Sequence, residues 1–395
     1  MGDTFILVVV VVTAVAFDFT NGFHDTANAV ATSIATGALK PMVAVIMSGC
    51  LNFLGAFISI SVAATIAKGV VDPSVANSAG GLEIVLAALV GAIIWNLTTW
   101  CLSIPSSSSH AIIGGLVGAA VAAVGSHAVS FHGIIQKVVA PAVLAVFICG
   151  AVAALGTFAA YAMVRRLGDR QARTGYRYGQ IGSAALVSLA HGTNDAQKTM
   201  GIIALALIST GHISAAHFYV PLWVKFVCAA AISLGTVTGG WRIINTMGNR
   251  ITSIESPQGF AAEAASGSVI LASSYYGYPL STTQVVSGGV TGAGIGKRQP
   301  VHWSVFGQMV SAWILTIPAA GIVGAGAWEI ADIFGKNSKV GCLVIVAITI
   351  VIAAGLWAIA QRSAIGAKDL DRTNVTPEEE AQQAAGGDVT SPAVA

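Results

Sequence analysis

Charge is what this sequence has least of. Of its 395 residues only 9% are Asp, Glu, Lys or Arg, while 55% are apolar; soluble domains carry about a quarter charged residues. That deficit excludes an ordinary water-soluble domain and implies a chain that lies mostly in lipid. The five cysteines, Cys50, Cys101, Cys149, Cys228 and Cys342, are odd in number, far apart and without CxxC or Cys/His spacing, which excludes a disulfide framework and a zinc motif and leaves buried packing roles. No basic patch supports nucleic-acid binding, and the net charge of +2 identifies no partner. No nucleophile–base or zinc signature supports an intramembrane enzyme. A receptor or scaffold would need large polar loops, and the longest interior polar segment is a short arginine loop.

What is present is a series of uncharged runs at 4–17, 41–67, 84–109, 138–164, 199–211, 226–241, 303–328 and 340–360. Several reach the roughly 20 residues needed to cross a hydrocarbon core. They predict an all-α membrane protein with about ten to twelve transmembrane segments. Forty-five glycines suit close helix contact and helices broken under protein cover, a trait of transporters. The first run follows Asp3 and reads as a retained span.

The segment from Arg165 to Arg177 holds five arginines, Arg165, Arg166, Arg170, Arg173 and Arg177, and the positive-inside tendency assigns it to the cytoplasm. It also divides a duplication. Gly22-Phe23-His24-Asp25-Thr26-Ala27-Asn28 aligns with Gly192-Thr193-Asn194-Asp195-Ala196-Gln197-Lys198, and Pro105-Ser106-Ser107-Ser108-Ser109-His110 with Pro279-Leu280-Ser281-Thr282-Thr283-Gln284, at offsets of 170 and 174. Two motif pairs in one order at nearly one spacing predict two repeats, inverted if each crosses an odd number of times. The expected organisation is a repeat over 1–165, a basic cytoplasmic linker over 166–180, a second repeat over 181–335, an extra transmembrane helix over 336–362 and a disordered tail over 363–395.

The polar motifs interrupt runs too short to cross: Ala111–Gly125, Ala264–Gly277 and Val285–Gly296. Short helices meeting at a Pro-Ser turn predict one re-entrant hairpin in each repeat, with tips at Pro105–His110 and Pro279–Gln284. A proline near a helix start, followed by hydroxyl residues, leaves backbone N–H groups open at the positive end of the helix dipole. Such a place receives an anion. Ser106, Ser107, Ser108 and Ser109 with Ser281, Thr282 and Thr283 are therefore candidate ligands of a tetrahedral oxyanion, against the plainer reading that they only cap helices.

On helices, Asp25, Asn28 and Thr32 share one face, and His191, Asn194, Asp195 and Lys198 share another. Carboxylates inside a membrane point to function, as cation ligands or proton relays. Asp25, Asn28, Asn194 and Asp195 are accordingly the cation-coupling candidates. Lys198 has two readings: an ion pair with Asp195, or direct contact with the anion. Glu83 and Glu263 each open a helix leading to a hairpin tip and join the cation set, with a solvated helix start as the alternative. Asp18, Asn52, Asn96, His24 and His110 read as hydrogen-bonded packing residues. Trp95, Trp223, Trp241, Trp303 and Trp313 read as interfacial anchors or core.

Asn21-Gly-Phe-His-Asp-Thr-Ala-Asn-Ala-Val-Ala-Thr32, Leu102-Ser-Ile-Pro-Ser-Ser-Ser-Ser-His110, His191-Gly-Thr-Asn-Asp-Ala-Gln-Lys198 and Tyr278-Pro-Leu-Ser-Thr-Thr-Gln284 closely resemble the inorganic phosphate transporter (PiT) family over nearly the whole chain except the tail. The resemblance implies cation-coupled phosphate symport in the cell inner membrane, with Asp25, Asp195, Ser107 and Ser281 important. His24-Asp25 and Gln197-Lys198 look like the bacterial, proton-coupled, low-affinity branch, which is associated with metal–phosphate uptake. Asn52 stands near where sodium-coupled relatives carry Glu, and Gln284 replaces a usual histidine; Glu263 does match an acidic position of the sodium-coupled type. The reading favours protons and leaves sodium open. No cofactor or resident metal is expected, only the co-transported cation, with a divalent metal carried alongside phosphate and a homo-oligomer both left open. Sulfate permeation on the same scaffold is the alternative; phosphate is favoured because its ionisable proton suits a nearby carboxylate acceptor.

Overall fold

A computed structural model describes residues 2–69, 80–167 and 169–371. Among these the chain is helical, with no β-structure beyond an isolated Thr252–Val301 bridge. The helices are α1 (Gly2–Ala35), α2 (Pro41–Gly55), α3 (Ser61–Gly69), α4 (Gly81–Cys101), α5 (Ser108–Val124) and α6 (Phe131–Arg166), the last passing through a π turn at Ile135–Val139. They continue with α7 (Asp169–Ser209), α8 (Leu222–Thr238), α9 (Trp241–Asn245, extended by a π turn at Thr246–Arg250), α10 (Ser256–Tyr275), α11 (Thr282–Lys297), α12 (Trp303–Asp332) and α13 (Lys339–Gln361).

By length and composition α1, α4, α6, α12 and α13 can each cross a bilayer, and α8 with α9, bent by 63°, adds a sixth span if counted as one. The other helices are shorter or carry the polar stripes. Of the ten to twelve expected segments, five or six among the described residues are thus long and apolar enough to cross on their own.

Start signals are local. Pro41 opens α2, Pro221 caps α8, and a capping box of Glu255 with Gln258 opens α10; proline suits a first turn because that turn needs no N–H. This last signal starts α10 eight residues before Ala264, so the second hairpin's first arm is longer than its apolar run. The basic segment after Arg166 also differs from a loop. From Asp169 it is the first part of α7, because Arg, Gln and Ala favour helix and no proline interrupts them. Of the expected tail, residues 363–371 form a turn with Leu370 buried, packed beside α2 and α9; residues 372–395 lie outside the described residues.

The two repeats interlock crosswise. Hairpin arm α5 packs on α12 of the second repeat, and arm α11 packs on α6 of the first. Likewise α1 packs on α8, and α7 on α2. Glycines make these approaches possible: a Cβ on Gly118 would collide with the backbone of Gly321, and one on Gly292 with Gly150. Gly22 abuts Ile232 and Gly235 as Gly192 abuts Asn52. Small residues at helix crossings are the expected glue where lipid removes any hydrophobic drive between helices. Helix α4 is almost wholly buried, whereas α6, α12 and α13 present large apolar side chains such as Phe147, Leu155, Ile322 and Val351 outward, as a lipid-facing surface requires.

Candidate functional site

Each hairpin turns through one residue with positive φ. In the second it is Gly277 (φ 77°), which has no Cβ to oppose that conformation; 174 residues earlier it is Ser103 (φ 58°). A serine there is strained, and two bonds from α9 and its π turn hold it: Arg242 Nε donates to Ser103 Oγ (2.9 Å), and Thr246 Oγ1 to Ser103 O (3.0 Å). After the turn, Ser107 and Ser281 are N-caps, accepting from the amides of His110 (3.1 Å) and Gln284 (3.3 Å). The amides of Ser108, Ser109, Thr282 and Thr283 are left without an intrahelical partner. The tips touch: Ser109 Oγ donates to Leu280 O (2.9 Å), and Gln284 Nε2 meets His110 Nδ1 (3.4 Å).

Against the tips lie the polar stripes of α1 and α7. Asp25 accepts from Ser108 Oγ at 2.6 Å and Thr283 Oγ1 at 3.4 Å, and meets His24 Nδ1 at 2.6 Å. It therefore joins both hairpins. Asn28 Nδ2 donates to Thr282 Oγ1 (3.1 Å) and Thr283 Oγ1 (2.9 Å). Asp195 accepts from Lys198 Nζ (2.7 Å), Asn21 Nδ2 (3.4 Å) and Thr282 Oγ1 (3.5 Å), with His191 Nε2 at 3.4 Å. All these groups are buried. Asp25, His191 and Asp195 each bring a ligand atom within 4.8 Å of the others, a spacing that suits a cation. Two carboxylates, two imidazoles, one ammonium and several hydroxyls from opposite repeats thus converge on one buried locus. Such a locus can exchange protons, hold a cation or offer donors to an oxyanion.

The sequence profile described as the phosphate transporter family matches residues 21–174 and, a second time, 163–324. Relatives over nearly the full length include the probable low-affinity inorganic phosphate transporter of Mycobacterium bovis, 51% identical over 97% of this chain and 89% of that protein. Its namesake in Bacillus subtilis is 43% identical over 82% and 96%. The chain belongs to the phosphate transporter family. Among solved structures, the sodium-dependent phosphate transporter superposes with a TM-score of 0.74 at 23% identity, covering 83% of this chain and 99% of that one, which shows a shared fold. The double profile match agrees with the duplicated motifs. A member of this family is a transporter and not an enzyme, and this one is a multi-pass protein of the cell inner membrane.

Within this family member the candidate residues have separate fates. Ser108, Thr282, Thr283, Asp25, Asn28, Asp195 and Lys198 come together. Ser107 and Ser281 serve as caps, Ser106 Oγ meets Thr99 Oγ1 (2.8 Å), and Ser109 bridges the tips. Lys198 is in the ion pair, the first of its two readings. Asn194 turns to the second hairpin, donating to Ser274 Oγ (2.9 Å) and Tyr278 O (3.4 Å).

Glu83 lies elsewhere: it is in the first turn of α4 and accepts from the amide of Ser338 (2.7 Å), just before α13. Glu263 does not open α10; it sits within it, buried, and accepts from Thr32, from Ser183 Oγ (2.7 Å) and from Gln180 Nε2 (3.5 Å). It ties α1, α7 and α10 together one turn beyond Asn28.

His24, read from the sequence as packing, touches Asp25 and also Thr99 Oγ1 (3.1 Å). Asn21 and His191 complete the surroundings of Asp195, and Asn52 Oδ1 meets His191 Nδ1 (3.1 Å). Asn21 and Asp25 are four apart, so helical spacing signals the first.

Proposed function

We propose that this protein carries inorganic phosphate into the cell, coupled to protons, by alternating exposure of the buried locus to either side of the membrane. One observation carries the reading: Asp25 on α1 receives hydroxyls from both hairpin tips, Ser108 and Thr283. Each tip begins a helix, so amides and hydroxyls of both repeats are aimed at one point where the dipoles favour negative charge. Phosphate takes its place among Ser108, Thr282, Thr283 and the open amides, displacing their bonds to Asp25 and Asp195. Lys198 offsets its charge. The inorganic phosphate named for the relatives supports this cargo over sulfate, and labelled phosphate uptake should be undiminished by excess sulfate.

Protons are favoured over sodium because imidazoles and an ammonium stand beside the two carboxylates, whereas a hard cation such as sodium prefers a shell of oxygens. Rocking of the interlocked repeats about the tips supplies the alternation. Reconstituted protein should accumulate labelled phosphate under an imposed proton gradient and not under an imposed sodium gradient; the reverse result rejects the coupling assignment. A second cargo, metal–phosphate, is favoured by Asp25, His191 and Asp195, whose ligand atoms are close enough for one divalent ion. Uptake that requires a divalent metal, and metal uptake that requires phosphate, would establish it.

A further inference from the structure

One carboxylate of α1 has no part in the locus just described. Asp18 precedes Asp25 by seven residues, two turns along the same face, and is wholly buried. Among the described residues neither of its oxygens has a hydrogen-bond partner. The ionisable groups that face it are Asp195 and Lys198 from α7 and the thiol of Cys228 from α8; Thr199 of α7 also lies beside it. None relieves it. Neither the hydroxyl nor the thiol neutralises a carboxylate, Lys198 Nζ is bound to Asp195 at 2.7 Å, and Asn21, one turn on, donates to Asp195 as well.

An ionised carboxylate away from water, with only a hydroxyl and a thiol beside it and its nearest cation paired elsewhere, is costly in a protein interior. A carboxyl group so placed can hold a proton as the neutral acid. Once ionised it would compete with Asp195 for Lys198, the nearest ammonium, so its protonation state bears directly on the group that offsets phosphate charge. We propose that Asp18 carries the coupling proton, taking one proton from water when the locus opens to one side and returning it to water on the other. This rests on the proton-coupled reading above. Protonated Asp18 leaves Lys198 with Asp195; ionised Asp18 draws it away, so that release of the proton and rearrangement of the anion's surroundings occur together.

The test uses the full chain in proteoliposomes, with labelled phosphate and two assays: accumulation driven by a proton gradient, and phosphate–phosphate exchange without one. Asp18→Asn fixes a neutral side chain of the same shape. It should lower proton-driven accumulation by roughly tenfold or more, in the range of ordinary coupling effects, while exchange continues at the wild-type rate. Accumulation equal to wild type overturns the proposal. So does parallel loss of both assays in correctly inserted protein, which marks a structural role. Should that variant fail to insert, Asp18→Glu keeps the acid on a longer arm: its accumulation should show a displaced pH profile with unchanged exchange, and an unmoved profile overturns the proposal. Wild-type protein driven by sodium and indifferent to protons rejects the coupling reading, and Asp18's role with it.

Discussion

Asp25 is the residue on which most of the locus depends, since it accepts from one hairpin through Ser108 and from the other through Thr283. Changing it to asparagine keeps the shape but replaces one acceptor oxygen by a donor and removes the charge. Ser108 and His24 then face an amide in place of a carboxylate. Asp25→Asn should reduce phosphate uptake to background while surface insertion, measured by labelling, stays normal. Thr283 tests the other side of the same contact. Its hydroxyl accepts from Asn28 and donates to Asp25, so Thr283→Val leaves two buried polar groups each short of a partner at about 1–3 kcal/mol apiece. The expected result is a KM for phosphate raised roughly tenfold, at 1.4 kcal/mol per decade, with a smaller effect on maximal rate. Both aspartates and the tip hydroxyls were legible from helical spacing and repetition. His24 was not, because residues i and i+1 do not share a helix face; its ring meets Asp25 on one side and Thr99 and Ser106 on the other. The partner of Glu83 is not legible in the sequence either. Its first-turn position is right, but what it meets, the amide of Ser338, lies 255 residues away.

Elements were legible where a local signal exists. Prolines, caps and apolar runs gave the hairpins, and the left-handed Gly277 has its match in Ser103, where Arg242 and Thr246 replace the freedom that glycine would supply. Partners of the helices were not legible, because each hairpin arm packs on the last helix of the other repeat. Those crossings rest on glycine. Gly118→Val and Gly292→Val each place a side chain against backbone, of Gly321 and Gly150 respectively, where no rotamer change gives relief. Each should destabilise by about 1–3 kcal/mol or more, the ordinary cost of overpacking, and should do so alike because the two sites are counterparts. Gly326→Ala, on α12 with nothing within 4 Å of the added Cβ, should leave stability unchanged or raise it slightly. Apparent thermal midpoints in detergent separate the two outcomes.

For the whole molecule, the crosswise packing constrains how the locus can open. Arm α5 is fixed to α12 and arm α11 to α6 by backbone-close contacts, so each tip should travel with the helix of the opposite repeat on which it is carried. Between the tips run hydrogen bonds, Ser109 with Leu280 and His110 with Gln284. Hydrogen bonds of this kind are worth about 1 kcal/mol net, weak enough to break and re-form in each cycle, whereas the glycine crossings are not. Opening should therefore occur between the tips. A variant with His110→Cys and Gln284→Cys, in a background where the five native cysteines are replaced, places two thiols at that seam. Joining them with a short bifunctional reagent should stop phosphate uptake, and a cleavable version of the reagent should restore it on reduction. A similar link between two helices that stay packed, α5 and α12, should leave uptake intact. If the tip-to-tip link permits full uptake, the tips do not part during transport, and the motion must be sought instead along the stripe where Glu263 joins α1, α7 and α10.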